Sequence, residues 1–448
     1  MGSLTFPKKY KNTFLFILLC SGSAWAGLPG AGLPADTLML TLDQAIATAL
    51  KNSYEIEIAK NNVEANTILN NYGVAGGLPT VSLNATNTEQ ITQVNQKLNT
   101  GVEINRNAAA GNNTQANLTV GMLLYNGKRV VATKKRLAEL QYQSAEVLNS
   151  QIQNTIALVM TSYYDVVRQL SYINTIRTSI FASEKRLEIL RVRKEAGMAN
   201  NADIFQAEID LNTLNQTLLN QQMVAQVAKT ELLRTLTLDP KSAVTIKDTI
   251  TVDNNLQLAS VMDRLASNAD VKAADHQIKI NELIVRETAA LRYPTVRVNA
   301  AYNFSRNQTA AGLTLLNRVA GPQAGISLAI PIYNGSAFKR QKQAAEIDTE
   351  TAELQKSTLL RDYSAGAVKT YQTYQSSIEQ LENQKKNYAL SKQLLDLTLQ
   401  RFELIQATII DVREAQRSFE EAGYRLINLN YAAKSAEIEL KRLSNTLQ

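Results

Sequence analysis

PTVSLNA at residues 79–85 and PTVRVNA at residues 294–300 are two versions of one seven-residue stretch in a chain of 448 residues. Apolar and polar residues alternate in both copies, which is typical of a β-strand with one apolar and one polar face. A second pair of landmarks, LLYNG ending at Gly127 and PIYNG ending at Gly335, is separated by 208 residues. Paired landmarks at a nearly fixed offset indicate that a larger unit is repeated.

The repeat extends over most of the chain. DIFQA at 203–207 is matched by DVREA at 411–415, again 208 residues later. We predict a first repeat over 40–238, an inter-repeat linker over 239–255 and a second repeat over 256–448. Two copies rather than many favour a duplicated domain over a solenoid.

The first 26 residues have the pattern of a signal peptide. Three lysines precede an apolar run at 14–20, and Ala24-Trp25-Ala26 supplies the small-x-small pattern at which a signal peptidase cleaves. We therefore predict a signal peptide over 1–26 and an N-terminal linker over 27–39.

The composition of the remaining chain excludes several functions. Without the leader it contains no cysteine, so it offers neither a disulfide nor thiol chemistry. Its 44 basic and 40 acidic residues give no reason to expect a nucleic-acid partner. After the leader, no stretch of 18 consecutive apolar residues predicts a transmembrane helix, so any insertion into a membrane would have to use strands.

Each repeat contains two alternating segments that predict one β-hairpin. Because a polar, Asn-rich segment separates the alternating runs, we predict long hairpin loops of about 20 to 30 residues, near 91–113 and near 305–322. The predicted strands are about 80–89 and 115–124 in the first repeat, and about 295–305 and 323–332 in the second.

Long helices are predicted after each YNG turn. From 128 to 239 the only glycine is Gly197 and proline is absent; from 336 onwards there are two glycines and no proline. Apolar residues step by four and three along the first of these segments, which predicts a coiled-coil seam: Ile152, Ile156, Val159, Tyr163, Val166, Leu170 and Ile173. The predicted helices are about 128–195, 203–237, 336–404 and 411–446.

Each long helix is predicted to turn tightly and return as a shorter helix. Gly197 indicates a helix end, and Asn200 indicates a new N-cap with Asp203 at the third helical position. Thr408 and Asp411 repeat this capping-box arrangement in the second copy. Helix capping alone is therefore one reading of both aspartates.

Four strands per chain leave two open edges, which a sheet in a membrane cannot have. Membrane barrels with an even number of strands start at eight, so two chains would give eight strands and three would give twelve. The alternating side chains expected to face lipid, unless they line an ordinary sheet core, are Val120, Met122, Val298, Tyr302, Phe304 and Leu328.

The doubled architecture, the IPIYNG turn before a long helix and the Asp-Val-x-x-Ala motif at a helix return resemble the TolC-like outer membrane efflux proteins. The segment TLDQAIATALKNSYEI also looks like the start of that family. The resemblance implies a mainly α fold with a β-barrel portion. In that fold, a duplicated helix, β-hairpin and long-helix repeat forms a homotrimeric 12-stranded transmembrane β-barrel, continuous with a periplasmic α-helical barrel.

The same resemblance implies a function and its partners. The protein would be the exit duct of a tripartite efflux pump or a type I secretion system in a Gram-negative outer membrane, docking a periplasmic adaptor and an inner-membrane transporter. Asp411 and Glu414 fall on the acidic positions that ring the pore entrance in that family, and Asp203 is the matching acid of the first copy. The arginine and tyrosine that help latch some members fall on Ala407 and Phe402.

No arrangement of nucleophile, base and orienting acid is visible, and neither metal-ligand spacing nor a phosphate-binding glycine loop occurs. We therefore expect neither enzymatic activity nor a cofactor. The alternative function is that of a periplasmic coiled-coil adaptor or a surface adhesin without a pore, because these proteins also use long heptad rods.

Overall fold

The computed structural model describes residues 38–447, so the predicted signal peptide at 1–26 and most of the linker at 27–39 lie outside it. A 3₁₀ turn at Leu265–Ser267 joins two of the helices. In chain order the elements are β1 (Leu38–Met39), α1 (Leu42–Asn52), α2 (Tyr54–Leu69), β2 (Thr80–Lys97), β3 (Glu103–Tyr125), α3 (Arg129–Glu195), α4 (Asn201–Thr235), β4 (Val244–Thr245), α5 (Leu258–Arg264), α6 (Ala269–Ala290), β5 (Thr295–Thr309), β6 (Leu316–Ala329), α7 (Ala337–Glu403) and α8 (Ile409–Leu443).

The two repeats have helices of equal length. α3 and α7 each contain 67 residues, and α4 and α8 each contain 35. α7 begins at Ala337, 208 residues after Arg129 begins α3, and the other helix ends keep this offset. At 1.5 Å per residue, each 67-residue helix is about 100 Å long. All four helices lie within three residues of the predicted bounds.

The predicted long hairpin loops at 91–113 and 305–322 are wrong. β2 continues to Lys97 and β3 begins at Glu103, while β5 and β6 are separated only by residues 310–315. Backbone pairing does not require apolar side chains, so the strands continue after the apolar alternation has stopped. Polar side chains bond across this extension; the Asn112 Nδ2 donates to the Asn87 Oδ1 at 2.8 Å.

The four long strands form one antiparallel sheet in the order β2-β3-β5-β6. The β3–β5 ladder joins the hairpins of the two repeats and pairs Val120 with Ala300. β2 and β6 are left as the two edges of the sheet. Each strand pair keeps its side-chain alternation in register, apart from shifts near Thr92 and Leu123.

Two consecutive left-handed residues stand directly before each long helix. Gly127 and Lys128 both have a φ of 65°, and in the second copy Gly335 and Ser336 have φ values of 64° and 62°. The YNG motif therefore encodes the same strand-to-helix turn twice. Glycine is suited to the first of these positions because it has no Cβ to clash at positive φ.

The predicted seam lies in the main hydrophobic core. Ile156, Val159, Tyr163, Val166 and Ile173 are buried. Side chains from α1, α4, α8 and the inter-repeat linker cover this part of α3, including Ala49, Leu232, Ile246 and Ile438. The seam prediction is therefore confirmed, and the long helix is stabilised by packing rather than by helix propensity alone.

A small parallel ladder ties the start of the described chain to the inter-repeat linker beside this core. β1 pairs with β4, and the Tyr163 hydroxyl donates to the backbone carbonyl of Leu40 at 3.1 Å. The same hydroxyl contacts the Asp248 carboxylate, and burial together with that carboxylate raises the pKa of Tyr163.

The helices described at 38–447 do not include one with the length and apolar character that a membrane span requires.

We expect Gly127→Ala to destabilise the protein more than Gly335→Ala, although both residues have positive φ. A Cβ on Gly127 would lie 2.7 Å from the Tyr293 Cβ and 3.0 Å from the Ala290 carbonyl oxygen, whereas a Cβ on Gly335 meets nothing within 4 Å. At either position the positive φ alone would lower the free energy of unfolding of the alanine variant by about 1 kcal/mol. At Gly127 the clash of the new Cβ with Tyr293 and Ala290 would lower it by about 1 to 3 kcal/mol more. Thermal unfolding of the two variants checks this; equal losses would show that the packing against Tyr293 is unimportant.

Candidate functional site

The sheet has one continuous apolar face. The register aligns Leu83, Leu118, Tyr302 and Pro322 across the four strands. All six side chains that were predicted to face lipid lie on this same face at neighbouring levels: Val120, Met122, Val298, Tyr302, Phe304 and Leu328. Four of them are exposed, and Val298 and Phe304 are half-buried. Whether this face contacts lipid stays a prediction.

The opposite face of the sheet is polar. At one level the register aligns Asn84, Asn117, Asn303 and Gly321, and the Asn117 Nδ2 donates to the Asn303 Oδ1 at 2.6 Å. Other levels of this face carry mainly threonine, serine, asparagine, glutamine or small residues, together with Arg297, Leu123 and Val319. A strongly two-faced sheet of this kind is suited to separating an apolar medium from water.

The apolar band has a defined height. On β5 it extends from Val296 to Phe304, and the residue on the same face beyond Phe304 is Arg306. Eight residue-to-residue steps of about 3.3 Å each, on a strand tilted by about 40°, span roughly 20 Å, which is close to the apolar band of a membrane barrel.

Far from the sheet, the turns that join α3 to α4 and α7 to α8 have the same backbone geometry. Gly197 has a φ of 74° and Ile405, at the matching position, has a φ of 63°. In both turns the next residue closes the helix: the Met198 N–H donates to the Arg193 carbonyl at 2.7 Å, and the Gln406 N–H to the Arg401 carbonyl at 2.8 Å. The β-branched Ile405 is therefore strained where the first repeat has glycine.

Both returning helices have the predicted N-caps. Asn200 accepts from the Asp203 backbone N–H at 2.8 Å, and Thr408 accepts from the Asp411 N–H at 3.2 Å. The full capping box predicted for both copies occurs only at Thr408, because there the Asp411 carboxylate also accepts from the Thr408 N–H at 2.7 Å. The prediction of a capping box at Asn200 and Asp203 is therefore wrong. Of its two hydrogen bonds, only the one from the Asp203 N–H to the Asn200 side chain is formed.

The cap changes the acidity of Asp411. Hydrogen bonds from the Thr408 backbone N–H and hydroxyl hold the pKa of Asp411 below its usual value. Because the folded-state pKa is lowered, the cap contributes stability above the ordinary aspartate pKa and loses it as the pH falls through the lowered value. Asp411 and Glu414 are exposed, and Asp203 is half-buried, at the same end of the molecule.

An apolar cluster joins the two turns. It contains Leu190 and Ile204 from the first repeat and Phe402 and Val412 from the second, with Ala407 at its margin. The guanidinium of Arg193 covers the ring of Phe402 at 4.2 Å from its centroid. Ala407 and Phe402 thus contribute apolar packing here.

An ion network behind this cluster was missed by the sequence analysis. Asp210 on α4 accepts from Arg186 of α3 at 2.8 Å and lies 3.3 Å from the Arg413 Nε of α8. The side chain of Arg186 is only 1% exposed, whereas that of Arg413 is 49% exposed. Burial lowers the pKa of Arg186 and Asp210 acts against that change, so the arginine remains charged. Asp210 thereby links both repeats near the turns.

Among residues 38–447, no group of three or more histidine, cysteine, aspartate or glutamate side chains is placed to hold a metal ion. The positions brought together at the turns are instead caps, packing residues and exposed acids.

The chain is similar to known proteins in sequence and in fold. The sequence model of the family described as "Outer membrane efflux protein" matches residues 261–446. The outer membrane protein TolC of Vibrio cholerae is 22% identical over 328 residues, covering 70% of this chain and 71% of that protein. The toxin and drug export protein A of Aggregatibacter actinomycetemcomitans is 22% identical over 417 residues, covering 88% and 85%.

The resemblance to the TolC-like outer membrane efflux proteins is confirmed. The crystal structure of the outer membrane protein VceC from Vibrio cholerae superposes with a TM-score of 0.74 at 18% identity, covering 90% of this chain and 96% of VceC. The chain thus has the same fold as this outer membrane protein.

We expect Asp210→Asn to destabilise the helical end by about 3 kcal/mol, because it leaves the buried Arg186 guanidinium without a counter-charge. Arg413→Gln should cost less than about 1 kcal/mol, since its guanidinium is half-exposed and the Arg186–Asp210 pair remains. Denaturant unfolding of both variants measures the difference. Equal small losses would contradict a dependence of Arg186 on Asp210.

Proposed function

We propose that this protein is an outer membrane exit duct, working passively in a tripartite efflux pump or a type I secretion system. The observation that carries the proposal is the four-stranded sheet, which has one apolar face and, within residues 38–447, two unpaired edges. A YNG turn and a 67-residue helix follow each of its two hairpins. The names of the relatives, which include TolC and a toxin and drug export protein, support the same function.

The unpaired edges are the reason to propose a homotrimer. β2 and β6 could close onto the neighbouring protomers' β6 and β2, so that twelve strands form a barrel without an edge. In that arrangement the apolar face meets the outer membrane lipid and the asparagine-rich face lines the lumen. The helices of three protomers would continue the wall into the periplasm for about 100 Å.

The far end of the helices is the proposed entrance of the duct. Three copies of Asp411 and Glu414 would place six exposed carboxylates around one opening, with three copies of Asp203 nearby. Such a ring attracts cations. We propose that this end meets a periplasmic adaptor protein and, through it, an inner-membrane transporter, which would select the substrate and supply the energy. The protein itself would then need neither catalysis nor a cofactor.

A coiled-coil adaptor or adhesin without a pore is the second candidate. Long heptad rods fit both classes, but neither class needs a sheet with five consecutive apolar levels on one face and asparagine on the other. The two-faced sheet therefore favours the duct.

Planar-bilayer conductance of the purified full-length protein tests the proposal. We expect discrete, cation-preferring steps, and the combined change Asp411→Asn and Glu414→Gln should lower the cation preference roughly twofold or more, because it removes the six carboxylates. The control combines Glu57→Gln and Asp263→Asn, which remove two exposed acids far from the turns.

The outcomes of the conductance measurement test the acidic ring and the duct separately. An unchanged preference in the Asp411 and Glu414 variant would keep the duct and leave those acids as surface and capping residues. A soluble protein, or a membrane-inserted trimer that never conducts, would contradict the duct and favour the adaptor or adhesin.

A further inference from the structure

Two arginines stand directly opposite each other at the end of the apolar face. Arg306 on β5 and Arg318 on β6 are paired in the register, one level beyond Phe304 and Ala320. Because side chains alternate along a strand, both arginines lie on the same face as the apolar band. The nearby hairpin turn at 310–315 is the end of the sheet that lies away from the helices.

The pair is electrostatically unfavourable as it stands, since like charges directly opposite each other destabilise a strand pair. Within residues 38–447, neither arginine takes part in a salt bridge. The Arg306 Nη2 donates to the Gln308 Oε1 at 2.8 Å, but its buried Nε has no acceptor in that part of the chain. The guanidinium groups are therefore short of acceptors.

The surrounding hairpin supplies no negative charge to balance the two arginines. From Thr295 to Ala329 the sequence contains three arginines and no carboxylate. The third, Arg297, pairs with Ser327 on the opposite face. On the apolar face the nearest acid in the register is Glu89, which lies on β2, one level farther out and two strands from β5.

We propose that Arg306 and Arg318 bind a phosphate group of a lipid headgroup in the outer leaflet. This rests on the proposed function, which directs the apolar face towards lipid. Headgroup phosphates lie directly beyond the hydrocarbon, and the pair lies directly beyond the band. Two guanidinium forks offer parallel N–H donors that match phosphate oxygens, and the anion removes the repulsion between them. A homotrimer would carry three such sites.

The alternative partner for Arg318 is a carboxylate from a neighbouring protomer. Barrel closure would bring that protomer's β2, which carries Glu89, beside β6. The variant Glu89→Gln distinguishes the two: a lipid phosphate site keeps or gains lipid affinity without this acid, whereas a protein ion pair loses trimer stability.

The test measures lipid binding by native mass spectrometry on the full-length trimer in detergent. The probes are diphosphorylated lipid A, the same lipid without its phosphates, and inorganic phosphate as a competitor. We expect the wild type to prefer the phosphorylated lipid, and the combined variant Arg306→Gln and Arg318→Gln to bind it roughly tenfold more weakly. Arg297→Gln is the matched control, because it removes an arginine from the same strand on the opposite face.

Equal binding by the wild type and the double variant would overturn the site. Competition by inorganic phosphate at concentrations similar to the lipid would overturn its assignment to a lipid headgroup. Conductance of the same preparations keeps the two proposals apart: trimers that conduct but show no phosphate preference contradict only the lipid site, whereas failure of the wild type to insert contradicts the duct.

Discussion

The unpaired edges of the sheet are the constraint on which the rest of the structure depends. β2 contains 18 residues and β6 contains 14, and along one side of each strand the backbone N–H and C=O groups find no strand partner within residues 38–447. In hydrocarbon, each such group would cost several kcal/mol. A sheet with this apolar face can therefore be stable in a membrane only when other copies complete its hydrogen bonding. In the proposed duct, oligomerisation would be part of the fold rather than an addition to it.

The helical part obeys a different rule, because a helix satisfies its own backbone. Its stability comes from burying side chains along the seam, where Val159, Tyr163 and Val166 are completely enclosed. The YNG turn lies between the sheet, whose edge strands need partners for their backbone groups, and the helix, which satisfies its own. Two consecutive left-handed residues redirect the chain within one turn, and both repeats use this same geometry immediately before the long helix.

The sequence predicted those features that leave a local signature. The faces of the strands could be predicted from the alternation of apolar and polar residues, and the long helices from the scarcity of glycine and proline. The turns could be predicted from the caps at Asn200 and Thr408. Each of these signals lies in a short stretch of sequence. The hairpin loops could not, because a polar strand and a polar loop have the same composition. The link through Asp210 was also hidden, since Arg186 is 24 residues away and Arg413 is 203, and only packing brings them together.

Geometry also bears on how many copies would close the barrel. Eight strands spaced 4.8 Å apart and tilted by about 40° have a diameter of about 16 Å, which side chains largely fill. Twelve strands give about 24 Å and, after side chains on both walls, leave an opening of roughly 14 Å. Asn84, Asn117 and Asn303 on the polar face would be costly to bury in a filled interior but would be well hydrated in an open one. The polarity of that face thus favours three protomers over two.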